Sequence, residues 1–229
     1  MLSPPVARPS WPCYHGLEAR DTESRPITDR VKQALFNILG HRYNLPDGKI
    51  VADLFCGVGS LGLEALSRGA EFVCFVEKDP KIAAVLERNI EKAGFVKESK
   101  VIRANAFKIG VEDKDFRFSI SDFRFSSINQ QSAIGNRQLV YDLIFIDPPY
   151  ANTKDVEQNS PLGKLLISIS RQLNIEGIAV VRTERRTELL KRYGQADSAE
   201  AATSPREGGL EIIERRQWGT MVITILRKQ

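Results

Sequence analysis

The stretch that most restricts what this chain can fold into runs from Tyr141 to Tyr150 and reads Tyr-Asp-Leu-Ile-Phe-Ile-Asp-Pro-Pro-Tyr. Leu143 to Ile146 is a short unbroken apolar run, as expected of a strand covered on both faces within a parallel sheet. Pro148 and Pro149 have no amide hydrogen for a ladder and hold the preceding residue extended, so the strand has to end at Asp147. A carboxylate, rigid backbone carbonyls and the aromatic face of Tyr150 are left at its carboxyl end, the edge where open α/β sheets bind ligands. Acceptors beside a stacking surface suit a planar base that carries an exocyclic amino group.

A second ligand signal lies upstream. Ile50 to Phe55 reads as the first core strand, and Cys56 to Gly62 turns from it into a helix that ends near Gly69. Gly57, Gly59 and Gly62 match G-x-G-x-x-G in the strand–turn–helix context that pattern requires. Glycines permit the tight turn and let a ligand approach the backbone beside a helix N-terminus. Nicotinamide, flavin and S-adenosylmethionine sites all use such a turn, so the loop alone does not choose among them. Glu77 ends the second strand, Phe72 to Val76, at the position where a carboxylate accepts ribose hydroxyls in dinucleotide folds. Asp79 and Pro80 open a helix that Gly94 closes, with Ile82, Ala83, Val85, Leu86 and Ile90 on its buried face. After a third strand at Val101-Ile102, the Asn105 side chain, followed by Ala106, either contacts an adenine edge or satisfies a turn.

The flanking regions carry weaker signals. Residues 1–24 hold four prolines and read as a loose arm, in which Arg8 and Arg20, like Arg25 just after it, either touch phosphate or are plain surface. Thr28 or Asp29 caps a helix with Val31, Leu35, Ile38 and Leu39 inward and Gly40 beyond its end; Arg30 and Lys32 stand in its first turn, against the dipole. Residues 107–140 look inserted: Asp-Phe-Arg-Phe-Ser occurs at 115–119 and again at 122–126, an alternation suited to two short strands. Beyond Tyr150 we expect a polar loop, a helix from about Leu162 to Leu173, a fifth strand at 177–181, and a basic helix from Thr183 to Tyr193. A surface loop and a closing hairpin, 210–217 with 220–227, complete the chain. Strand–helix alternation followed by an antiparallel pair predicts one mixed α/β domain over 25–229, with helices on both faces.

Composition excludes several classes. The 229 residues are 42% hydrophobic and 27% charged, enough apolar content for a full core. No run reaches the roughly 18 apolar residues of a membrane helix, so a soluble cytoplasmic protein without a membrane partner is expected. Three cysteines without a C-x-x-C pair, and two histidines, argue against a disulfide framework or a zinc site. A net charge of +4 permits a polyanionic partner without requiring one.

Four segments in this order point to a family: Arg25-Pro26-Ile27-Thr28-Asp29-Arg30-Val31 through Leu39, Asp53 to Ala65, Val76-Glu77-Lys78-Asp79, and Asp147-Pro148-Pro149-Tyr150. Over roughly residues 25–106 and 140–226 the chain resembles the bacterial methyltransferases of the RsmD type, which modify guanine N2 in 16S ribosomal RNA. The tetrapeptide is shared with DNA amino-methyltransferases, whereas R-P-x-T-D-R-V is far more specific to this family. The resemblance implies a Rossmann-like class I methyltransferase fold with a mixed seven-stranded sheet, S-adenosylmethionine as cofactor, and 16S RNA or the assembling small subunit as partner; a monomer is expected. It places Asp53, Gly57 and Gly59 at the methionine end, Glu77 at the ribose, and Asn105 with Ala106 at the adenine. Asp147, Pro148 and Tyr150 become the catalytic group, and Arg25, Thr28 and Arg30 the RNA contacts. The family's opening R-I-I-G-G and R-G-R segments have no counterpart in residues 1–24, and the 107–140 insertion is foreign to it. The rival readings are a DNA adenine-N6 or cytosine-N4 methyltransferase, a nicotinamide oxidoreductase, and a non-catalytic RNA-binding protein of the same fold.

Overall fold

The computed structural model describes residues 27–108, 141–193 and 209–229. The arm, Arg25, most of the 107–140 insertion and most of the loop before the closing hairpin lie outside these residues.

Helix α1 (Asp29–Tyr43) leads into β1 (Ile50–Leu54), α2 (Ser60–Ser67), β2 (Phe72–Glu77), α3 (Pro80–Ala93) and β3 (Ser99–Arg103). Then come β4 (Tyr141–Ile146), a 3-10 turn at Tyr150–Thr153, α4 (Pro161–Ser170), β5 (Leu173–Glu184), β6 (Arg192–Tyr193), β7 (Leu210–Trp218) and β8 (Met221–Lys228). The strands form one sheet in the order β3-β2-β1-β4-β5-β8-β7-β6. The first five run parallel, and β8 joins β5 antiparallel, followed by β7 and β6. Seven of these strands match the expected sheet; the eighth, β6, is a two-residue addition at the edge.

Both faces of the central strands are buried, which is why their sequences are continuously apolar rather than alternating. Val51, Val73, Phe75, Leu143, Phe145 and Val180 point into one core, which α1, α2 and α3 cover. Ala52, Leu54, Cys74, Val76, Ile144 and Ile146 point into the other, covered by α4 through Leu162, Leu165, Leu166 and Ile169. The strand order reverses between β1 and β4: the chain leaves β1 toward β2 and β3, then returns to β1's other side. Ligand crevices form at such a switch point, beyond the carboxyl ends of the two strands. Asp53 of β1 and Asp147 after β4 flank it.

Several local expectations change. Gly40 does not end α1, which continues to Tyr43 and stops where Asn44 takes a left-handed φ of 52°. The α1 residue Lys32 is buried, paired with Asp29 at 3.3 Å and Glu64 at 3.9 Å, so it is not part of an open basic surface. Helix α4 ends at Ser170, because Leu173 already pairs with Tyr141 to begin β5. The segment from Thr183 to Tyr193 is not a helix. Strand β5 runs on to Glu184 opposite Met221 of β8, and the chain turns there with the Thr187 amide donating to the Glu184 carbonyl. Ladder hydrogen bonds and the packing of Leu189 and Leu190 on the sheet override the helical preference of its charged residues. The closing hairpin forms where expected, turning at Gly219 and Thr220.

Candidate active site

The three glycines of the first turn do different jobs. Gly57 and Gly59 have φ of 55° and 90°, the left-handed region that a side chain disfavours. A Cβ on Gly59 would stand 2.4 Å from the Leu86 side chain of α3, and one on Gly62 would stand 2.2 Å from the Phe75 ring of β2. Those two let helix and sheet close on one another. A Cβ on Gly57 would meet no atom within 4 Å, so its backbone faces open space. Gly57 is where a ligand can approach.

Buried polar groups hold this turn in place. The Asp53 carboxylate, 1% exposed, accepts from the Gly62 amide at 2.8 Å. Burial pushes its pKa up to about 8; the Gly62 amide works against the rise, while the Asp147 and Glu77 charges add to it. In this structure Asp53 is first an anchor for the start of α2. Glu77 accepts from the Gly57 amide at 3.0 Å on one oxygen and from the Asp79 amide at 2.8 Å on the other. A carboxylate offers about four lone-pair positions, so two remain for hydroxyl donors. Asn89 of α3, which the sequence did not single out, donates to the Val58 carbonyl at 3.2 Å and fixes the loop from the helix side. Its signal was a polar residue on the inward stripe of an amphipathic helix. The Asp79 carboxylate caps α3 through the Lys81 and Ile82 amides, as expected. Asn105 takes the turn reading: its side-chain oxygen accepts from the Phe107 amide at 3.0 Å, which leaves the amide nitrogen as its donor. Ala106 is buried beside it.

At the other flank of the switch point, the Asp147 amide donates to the Leu54 carbonyl at 3.3 Å, tying the end of β4 to the end of β1. Pro148 is buried, and Tyr150 opens the 3-10 turn, half-buried. Sequence reasoning also missed Arg182. It is 3% exposed in β5, forms an ion pair with Asp147, and sets its guanidinium carbon 5.6 Å from the centre of the Tyr150 ring. Burial pushes the Asp147 pKa up to about 6, with the Arg182 charge and hydrogen bond opposing that rise. The thiols of Cys56 and Cys74 are buried and free, and burial raises both their pKa values, so neither supplies a thiolate at neutral pH.

Asp53, Gly57, Gly59 and Glu77 thus gather around one turn. Asp147, Pro148 and Tyr150 gather across the switch point from them. Thr28 and Arg30 are exposed at the start of α1, outside both groups. Among the described residues no helix is long and apolar enough to cross a membrane.

Residues 16–117 match the family described as "Conserved hypothetical protein 95". The chain is 31% identical over 173 residues to a Bacillus subtilis protein named "Putative rRNA methyltransferase YlbH", covering 76% of this chain and 78% of that one. It is 34% identical over 130 residues to the Haemophilus influenzae "Ribosomal RNA small subunit methyltransferase D", covering 55% of this chain and 53% of that protein. Among solved structures, an RNA methyltransferase from Salinibacter ruber in complex with S-adenosyl-L-homocysteine superposes with a TM-score of 0.51 at 12% identity, over 89% of this chain and 94% of that one.

Proposed function

This chain belongs to the RsmD-like methyltransferases, the family described as "Conserved hypothetical protein 95", and from that premise we propose that it methylates the exocyclic N2 amine of a guanine in small-subunit ribosomal RNA. The observation that carries the reading is the pairing, across one switch point, of an open glycine turn with a carboxylate–carbonyl–aromatic edge. A nicotinamide oxidoreductase would use the turn and leave Asp147-Pro148-Pro149-Tyr150 without a task.

The residues present fit S-adenosylmethionine. Gly57 leaves the backbone open for the methionine end, Glu77 has two lone-pair positions for ribose hydroxyls, and Asn105 keeps an amide donor at the adenine end. The bound cofactor supplies an activated methyl group on a sulfonium, a leaving group that needs no further activation. Asp147 and the Pro148 carbonyl accept hydrogen bonds from the target amine. An exocyclic amine is a poor nucleophile because its lone pair is conjugated into the ring. Two acceptors that prefer a pyramidal nitrogen free that lone pair and aim it across the crevice. Tyr150 stacks on the base and fixes the line of attack. The proton released from nitrogen goes to Asp147 or to water through it; a carboxylate raised to about 6 is a better base than an ordinary one. The partner is 16S RNA or the assembling small subunit.

The test is transfer of labelled methyl to unmodified small-subunit particles, to naked 16S RNA and to duplex DNA. Label in the ribosomal RNA is the expected result. Label in DNA alone would replace this reading by the DNA amino-methyltransferase one, and cofactor binding without transfer to any acceptor would favour a binding protein of the same fold.

A further inference from the structure

We infer that Arg182 is the positioning residue of this site: it turns the Asp147 carboxylate, keeps it ionised, and backs the ring of Tyr150. The inference rests on reading Asp147 as the acceptor of the target amine. Its basis is geometric.

Strand register predicts the pair. Phe145 lies opposite Val180 and Ile146 opposite Val181, so one further step brings Asp147 opposite Arg182. On β5, Ile178 and Val180 share the core face with Arg182, and on β8 the residues opposite Arg182 and Val180 are Ile223 and Ile225. Arg182 therefore interrupts an apolar row at its last position. An apolar side chain of similar volume would pack in such a row without the desolvation penalty of a buried cation. The cation's observed contacts are the two side chains at the reaction edge, Asp147 and Tyr150.

The ion pair also orients the carboxylate. Arg182 engages Oδ1 of Asp147, and that oxygen is sealed from solvent. The Asp147 side chain is nevertheless 19% exposed, so it opens to the crevice through its other parts, leaving Oδ2 as the acceptor for an incoming amine. A planar guanidinium suits both tasks, since one edge binds a carboxylate while the face lies on a ring. Arg182 from β5 bears on the Asp147 charge directly; Asp53 of β1, whose own carboxyl pKa is raised to about 8, and Tyr150, which contacts Arg182, are neighbouring ionisable groups. Arg182 is the one that favours the ionised form. Without it, burial favours the protonated acid, which donates where the target amine needs an acceptor.

The direct test reads the Asp147 carboxyl itself, by carbon NMR titration of the free protein labelled at aspartate, with the Asp147 signal identified by its loss in Asp147→Asn. In Arg182→Gln the titration should move up by at least one pH unit, while Arg182→Lys, which keeps the charge, should hold it within about half a unit. Labelled-methyl turnover should follow: at least about a twofold loss at pH 7 for a one-unit displacement in the glutamine variant, recovering as pH rises, with cofactor affinity unchanged. An Asp147 titration that stays in place in Arg182→Gln overturns the inference. So does a turnover loss that is equal at every pH. If the glutamine variant does not fold, the lysine variant decides, because a titration displaced upward by a unit or more despite the retained charge also overturns it. Failure of the wild-type protein to methylate any ribosomal acceptor would refute the substrate reading and leave the NMR result to judge Arg182 by itself.

Discussion

Alanine at Gly57 and alanine at Gly62 should fail in different ways although both positions belong to one glycine motif. At Gly62, inside α2, alanine favours the helix by about 1 kcal/mol. Its Cβ, however, would sit 2.2 Å from Cε1 and 2.7 Å from Cζ of Phe75, a ring that is fully buried and has nowhere to retreat. Overpacking a filled core costs about 1–3 kcal/mol, and contacts this short belong at the upper end. The net expectation is a loss of ~1–2 kcal/mol, with cofactor affinity retained in the folded fraction. At Gly57 no atom obstructs the Cβ, and only the left-handed φ of 55° costs stability, about 1 kcal/mol. There the larger effect is on binding: the methyl group occupies the approach path, and affinity for S-adenosylmethionine should fall at least about tenfold, or ~1.4 kcal/mol. Urea denaturation of the free protein and calorimetric titration with S-adenosylmethionine separate the two. Phe75→Leu combined with Gly62→Ala should recover part of the lost stability, a coupling of about 1 kcal/mol expected only for residues in contact. Strict additivity of that pair, or wild-type cofactor affinity in Gly57→Ala, would refute the division of roles.

Three further expectations concern the charged groups and the stacking ring. Asp147→Ala should abolish turnover and leave cofactor binding nearly intact, but it also strands Arg182 in the core, so unfolding should become easier by ~3 kcal/mol, the lower end for breaking a buried pair because Asp147 is partly exposed; unchanged stability in denaturation would show that the pair is not held as described. The Asp53 carboxyl has a folded pKa raised from 3.8 to about 8, so between these values the folded state holds a proton the unfolded state has lost, and stability from this group falls as pH rises through that window. Asp53→Asn should flatten that part of the stability–pH curve, whereas an unchanged slope would count against a neutral Asp53. Tyr150→Phe should retain most of the turnover, since the ring does the stacking, while Tyr150→Ala should lose it chiefly in kcat; equal activity of both would remove the ring from the mechanism.

What could be read from the sequence was local. The break at Pro148-Pro149, the capping of α3 by Asp79 and Pro80, and the glycine turn are each decided by a few neighbouring residues, and all stand where the residues placed them. The separate tasks of Gly57, Gly59 and Gly62 were not legible, because the atoms that distinguish them belong to Phe75 and Leu86 on other elements. The resemblance places Asp53 at the cofactor; that its carboxyl also accepts from the Gly62 amide nine residues on is a consequence of burial that the sequence does not show. Arg182 was missed because its meaning lies in a neighbouring strand; the residues around it invited a helix from Thr183, and only the ladder to β8 shows the strand continuing through Glu184. The repeated Phe-Arg-Phe segment and Arg25 lie outside the described residues.

The most direct measurement of the central claim is the identity of the methylated nucleoside. Unmodified small-subunit particles would be incubated with labelled S-adenosylmethionine and either the wild-type protein or Asp147→Ala, and the RNA digested to nucleosides for mass spectrometry. The expected product is N2-methylguanosine from the wild-type protein and none from the variant, with both proteins binding the cofactor. A methyl group recovered on ring carbon, ribose oxygen or ring nitrogen, or N2-methylguanosine formed equally well by Asp147→Ala, would contradict an exocyclic-amine site built on Asp147.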